Sequence, residues 1–113
     1  MGATQSYSEE KMADVKKMID AKINSKKVVV YSKTYCPFCK KAKDVLKQYN
    51  IPEDIEIIEI EDNPDCSAIQ DYLCQITGAR SVPRVFINGK CIGGGDETVA
   101  LQKSGKLKGM LGL

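Results

Sequence analysis

At 113 residues the chain can bury a core as one domain, residues 1–113, without metal or disulfide staples. Its net charge of +2 at pH 7, with aromatic residues scattered rather than interleaved with a basic patch, argues against nucleic-acid binding. Five cysteines cannot all pair within the chain, which argues against a secreted disulfide framework and for a reducing, cytoplasmic setting.

The longest apolar runs fall far short of the roughly 20 residues that span a bilayer. Residues 1–26 lack an apolar centre and carry Glu9, Glu10, Asp14 and Asp20, so they do not read as a secretory or transit segment. Residues 1–7 are expected to form a flexible N-terminal tail. Met1-Gly2-Ala3-Thr4-Gln5-Ser6 fits the loose myristoylation pattern, but the pattern is short and a single acyl chain anchors only marginally. No stable membrane association is expected.

Met12, Val15, Ile19 and Ile23, with Met18 beside them, recur at helical spacing over residues 8–24. Ser6 and Glu9 could form a capping box there, and both methionines read as core filler. Lys27 to Ser32 is a short continuous apolar run, the pattern of a strand covered on both faces. A second helix is expected over about residues 37–49, ending at Asn50 and Pro52, then a strand from Asp54 to Glu61. This strand–helix–strand spacing makes the two strands parallel.

Asn63-Pro64-Asp65 reads as a helix start, with Asn63 capping, and Gly78 as its stop after Thr77. Arg84 to Ile87 and Lys90 to Gly93 read as strands joined by an Asn88-Gly89 hairpin turn, hence antiparallel. Asp96 begins a further helix that Gly105 interrupts, and Leu107, Met110 and Leu111 suggest a short terminal one. Together these elements predict an α/β fold, a four-stranded mixed sheet with helices on both faces. Its ligand edge lies beyond the C-terminal ends of the parallel strands.

Cys36-Pro37-Phe38-Cys39 falls at that edge, at the turn from the first strand into the second helix. Pro37 suits the first helical position, which puts Cys36 at the N-cap, facing unpaired N–H groups and the positive end of the helix dipole. With Lys33, Lys40, Lys41 and Lys43 nearby, that setting favours thiolate over thiol and makes a nucleophile of the sulfur. The competing reading is half of a zinc site. Zinc wants four ligands, the chain has no histidine, and Cys66, Cys74 and Cys91 form no second close pair. These three cysteines read as packing residues, with Cys66, near a helix start, the one open to oxidation.

The Cys36–Cys39 motif, Ser81-Val82-Pro83 and Gly93-Gly94-Gly95-Asp96, in this order over about residues 16–112, resemble the glutaredoxins of the thioredoxin-like fold. Thioredoxin is less similar, since that family normally carries tryptophan before its active cysteine and this chain has none. The resemblance implies a glutathione-dependent thiol–disulfide oxidoreductase, with Cys36 as nucleophile and Cys39 as resolving thiol. It implies a cis Pro83, with Val82 pairing strand-like to the cysteinyl backbone of glutathione. Lys33 and Gln70 would hold the glycyl carboxylate, and Gly94, Gly95 and Asp96 the γ-glutamyl head, with Tyr35 along the peptide's side. Arg80 and Arg84 also fit family positions and are read as peripheral.

Glutathione would serve as co-substrate, with no metal. Partners would be glutathionylated and disulfide-bonded proteins and, indirectly, glutathione reductase and NADPH; a monomer is implied. The chain departs from many members in Phe38 for tyrosine, Ser81 for threonine, Gly95 where some carry cysteine, and Glu97 where aspartate is common. The alternative implied by the family is an iron–sulfur carrier, two protomers sharing a cluster through Cys36 and two glutathiones. Pro37 argues against it by stiffening the helix start, and a brown preparation would favour it.

Overall fold

The computed structural model describes residues 7–113. The myristoylation pattern, the proposed Ser6 cap and all of the expected tail but Tyr7 lie outside those residues. Helix α1 (Glu9–Lys22) is capped by Ser8, whose hydroxyl accepts the Lys11 N–H at 3.0 Å. Strand β1 (Val28–Ser32) leads to α2 (Pro37–Lys47), and a 3₁₀ turn at Pro52–Asp54 leads to β2 (Ile55–Glu59). Helix α3 (Cys66–Thr77) is followed by β3 (Arg84–Ile87), β4 (Lys90–Gly93), α4 (Gly95–Lys103) and α5 (Lys106–Met110).

The strands are ordered β2-β1-β3-β4, with β1 parallel to β2 and antiparallel to β3. Strands β3 and β4 form the expected antiparallel hairpin. Asn88 and Gly89 both have positive φ, +52° and +81°, as a two-residue turn matched to strand twist requires.

Every residue of β1 is buried, so its alternation feeds two cores. Val29 and Tyr31 pack with Val15, Ile19, Ile69, Leu73 and Phe86 beneath α1 and α3. Val28 and Val30 pack with Ala42, Val45, Leu46, Val85, Leu107 and Leu111 beneath α2 and the C-terminal helices. This is the predicted two-faced mixed sheet.

Some boundaries differ from the sequence reading. Met12 packs against the first core, but Met18 is 45% exposed. Val15, Ile19 and Ile23, spaced by four, own the buried stripe, and a residue one place from Ile19 points about 100° away. Asn63 is not the cap of α3. Its side chain accepts the Asp65 N–H at 2.7 Å and its carbonyl accepts the Cys66 N–H at 3.0 Å, making a turn that delays the helix to Cys66.

Candidate active site

The β1–α2 turn is closed by the Cys36 N–H donating to the Lys33 carbonyl at 3.2 Å. Cys36 has extended backbone (φ −88°, ψ 118°), and its carbonyl already accepts the first helical bond, from the Lys40 N–H at 3.0 Å. It is therefore the N-cap, with Pro37 in the first turn where no N–H is missed. The Cys39 N–H donates to Cys36 Sγ at 3.3 Å. A backbone amide and the helix N-terminus thus face a half-buried sulfur.

Cys39 sits one turn into α2 with no exposed surface, and the Lys33 N–H donates to its Sγ at 3.4 Å. Burial, then the hydrogen bond with Cys36, pushes the Cys39 thiol up to about 11. The backbone N–H of Lys33 and the Ser32 hydroxyl oppose that rise without cancelling it. The two cysteines thus have opposite surroundings: one thiol is accessible and faces N–H donors, the other is buried and held protonated.

The turn is tied to the chain just beyond β2, the strand next to β1. Thr34 gives its N–H to Glu61 Oε1 at 3.3 Å and its hydroxyl to Glu61 Oε2. The Thr34 hydroxyl holds the Glu61 carboxyl below its ordinary range. Tyr35 and Phe38 flank Cys36 and stand 70% and 50% exposed. Lys33 is half-buried, and its ammonium has no hydrogen-bond or ion-pair partner among the described residues.

Facing Cys36 is the Val82–Pro83 segment, joined by a cis peptide bond, with the Val82 carbonyl oxygen 3.7 Å from Cys36 Sγ. A groove of about 270 Å³ runs on from there between Phe38, Ser81, Val82, Pro83, Gly94 and Asp96. Its far wall is the start of α4. The Gly94 N–H is taken by Glu97 Oε1 at 2.7 Å, a one-sided cap of α4, and that contact lowers the Glu97 carboxyl. The Gly94 N–H is thus already engaged, although the resemblance implies Gly94 as part of the site for the γ-glutamyl head. The N–H groups of Gly95 and Asp96, in the first turn, remain for a ligand. At Gly95 the two helix starts nearly touch, and a Cβ there would lie 2.7 Å from the Phe38 carbonyl oxygen.

Gln70 is engaged within the protein. Its amide nitrogen donates to the Arg80 carbonyl at 2.9 Å and its oxygen accepts the Cys66 thiol at 3.4 Å. One amide hydrogen is left over. Arg80 completes a brace, donating to Asp71 Oδ1 at 2.7 Å and to Ser67 Oγ at 3.0 Å. The Arg80 guanidinium, then the Tyr7 hydroxyl, hold the Asp71 carboxyl below its ordinary range. Arg80 thus fastens the segment leading to Val82 onto α3, more than the peripheral role read from sequence. Neither this brace nor Thr34–Glu61 has a local signal, because the partners lie up to 27 residues apart.

The glutaredoxin family model matches residues 28–92, from β1 to β4, including both cysteines of the turn and the cis proline. The chain belongs to the glutaredoxin family. With that family it is a glutathione-dependent thiol–disulfide oxidoreductase of thioredoxin-like fold. Among curated glutaredoxins, Glutaredoxin-1 of Mus musculus is 46% identical over 90 residues, covering 79% of this chain and 84% of its own. Glutaredoxin-1 of Homo sapiens is 47% identical over 90 residues, covering 79% and 85%.

Among solved glutaredoxin structures, oxidised glutaredoxin 2 from Chlamydomonas reinhardtii matches with a TM-score of 0.84 at 50% identity, covering 88% of this chain and 92% of its own. The buckwheat glutaredoxin–glutathione complex matches with a TM-score of 0.86 at 39% identity, covering 93% and 94%.

Proposed function

We propose that the protein reduces protein–glutathione mixed disulfides with Cys36 alone, and protein disulfides with Cys36 and Cys39 together. The contrast between the two sulfurs carries this reading: Cys36 is half-buried at a helix N-cap, whereas Cys39 is fully buried with its thiol pushed up to about 11.

In the first route the Cys36 thiolate attacks the glutathionyl sulfur of the substrate. The substrate's S–S bond breaks, its electron pair leaves on the protein sulfur, which takes a proton, and a Cys36–glutathione disulfide forms. A second glutathione thiolate attacks the glutathionyl sulfur of that disulfide, releasing glutathione disulfide and restoring the Cys36 thiolate.

In the second route Cys36 attacks a protein disulfide. Cys39 then loses its proton and attacks Cys36 Sγ, expelling the protein thiol and closing the Cys36–Cys39 bond. Two glutathiones reopen it. Cys39 is raised partly by Cys36 itself, through their hydrogen bond and its charge. Once Cys36 is tied up in a mixed disulfide that part is relieved, so Cys39 is released for attack when a target exists.

Glutathione would lie in the groove. Its cysteinyl backbone would pair with Val82 beside Pro83, and Tyr35 would cover its side. Its γ-glutamyl carboxylate would take the N–H groups of Gly95 and Asp96, and the Asp96 carboxylate would take its ammonium. Lys33, whose ammonium has no partner among the described residues, and the spare hydrogen of Gln70 would serve the glycyl carboxylate. The resemblance to the buckwheat complex supports this placement.

The test is turnover on a glutathionylated peptide and on a protein disulfide at equal glutathione. Cys36→Ser should abolish both activities. Cys39→Ser should keep deglutathionylation and lose most protein-disulfide reduction. Loss of deglutathionylation in a folded Cys39→Ser variant would make both sulfurs obligatory and sink the one-thiol route.

A further inference from the structure

Lys41 and Asp96 face each other across the top of the groove, one from the first turns of α2 and one from the first turn of α4, with Nζ 3.4 Å from Oδ1. The same ammonium lies 5.0 Å from the centroid of the Phe38 ring, a cation–π position that keeps it over the groove wall. Nearby Lys40 and Lys43 are committed elsewhere, to Asp44 at 2.9 Å and to Glu59 at 2.8 Å. At the rim of the groove one positive and one negative side-chain charge thus stand side by side, while of the other charged residues lining it Arg84 gives its Nε–H to the Pro83 carbonyl at 2.9 Å and Glu97 accepts the Gly94 N–H at 2.7 Å.

Few ligand groups match such a pair. A lone carboxylate meets Asp96 and a lone ammonium meets Lys41, each with repulsion that offsets the attraction. A zwitterionic α-amino acid head, with ammonium and carboxylate on one carbon, can set each charge against its opposite. We propose that Lys41 is a specificity-determining residue that binds the α-carboxylate of the γ-glutamyl head while Asp96 binds its ammonium.

The proposal rests on the placement of that head at the start of α4, and it adds a cation to the two backbone donors already there. Both side chains are largely exposed, 48% for Lys41 and 71% for Asp96, so the interaction belongs to the weak class of solvent-screened pairs. The expected effect on rate is roughly threefold.

The experiment uses one peptide as a mixed disulfide with three thiols: glutathione, the 4-aminobutyryl analogue lacking the α-carboxylate, and the glutaryl analogue lacking the α-amino group. kcat/KM is measured for the full-length protein and for Lys41→Met, Lys41→Arg and Asp96→Asn.

Lys41→Met should lower the ratio of glutathione to 4-aminobutyryl rates about threefold. Lys41→Arg should restore it, and Asp96→Asn should lower the ratio of glutathione to glutaryl rates. An equal loss on both substrates in Lys41→Met, or none, overturns the assignment of Lys41 when Asp96→Asn behaves as expected. An unmoved glutathione-to-glutaryl ratio in Asp96→Asn overturns the placement of the head itself, and the role of Lys41 with it.

Discussion

At the scale of single residues, the structure predicts which thiol a reagent finds. Cys39 has no exposed surface, and burial followed by its hydrogen bond to Cys36 pushes it up to about 11. Native protein treated with iodoacetamide at pH 8 should be carboxamidomethylated at Cys36 while Cys39 stays unmodified. In denaturant Cys39 should react like any cysteine, near the ordinary thiol range of about 8.5. Peptide mass spectrometry reads both, and rapid native labelling of Cys39 would contradict its burial. The pair was legible in the sequence because proline after the first cysteine fixes which sulfur caps the helix. The other uses of side chains were not. Nothing near Gln70 announces that its amide turns to the Arg80 carbonyl, and nothing near Gly94 that Glu97 takes its N–H. Such partnerships depend on where the chain returns to itself, and a sequence pattern carries only spacing along one element.

At the scale of elements, the helix starts carry the chemistry, and Glu97 is the residue to test. Its carboxylate accepts the Gly94 N–H, and this contact is the first cause of its lowered pKa. A carboxyl lowered in the folded state contributes stability fully above its unfolded value, about 4.3, and loses that contribution as pH falls through the folded value. Glu97→Ala should therefore cost about 0.5–1 kcal/mol at pH 7, a fall of a few degrees in the melting midpoint. The difference from the parent should shrink below about pH 4. Differential scanning calorimetry at pH 7 and pH 3.5 would show it, and a pH-independent difference would mean that the charge is not what caps α4. Element order, the parallel β1–β2 pair and the β3–β4 hairpin were readable from apolar periodicity and turn residues, but the antiparallel pairing of β1 with β3 was not, because it joins strands far apart in the chain. Arg84–Ile87 and Lys90–Gly93 have the limits expected. The helix limits moved where a side chain closed a turn first, as Asn63 does ahead of α3.

At the scale of the whole molecule, acids at tertiary joints share one direction. Glu61 is lowered first by Thr34, Asp71 by Arg80 and Asp20 by Tyr72, joining the active turn to the end of β2, α3 to the Val82 segment, and α1 to α3. By the same sign, these joints support the fold above about pH 4 and weaken as pH falls further. The urea midpoint should be flat from pH 7 to about pH 5 and drop towards pH 3. A midpoint unchanged at pH 3 would show that the joints contribute nothing measurable. The central strand has a further consequence. Every residue of β1 is shielded from solvent, and Cys36 follows only four residues after its last one, Ser32. The sulfur that must change partners at each turnover is thus hung, through a short turn, from a fully enclosed strand that anchors it. A cysteine has one torsion that moves its sulfur, so the change of partner is expected to run through χ1 of Cys36, outward to the substrate and inward to Cys39.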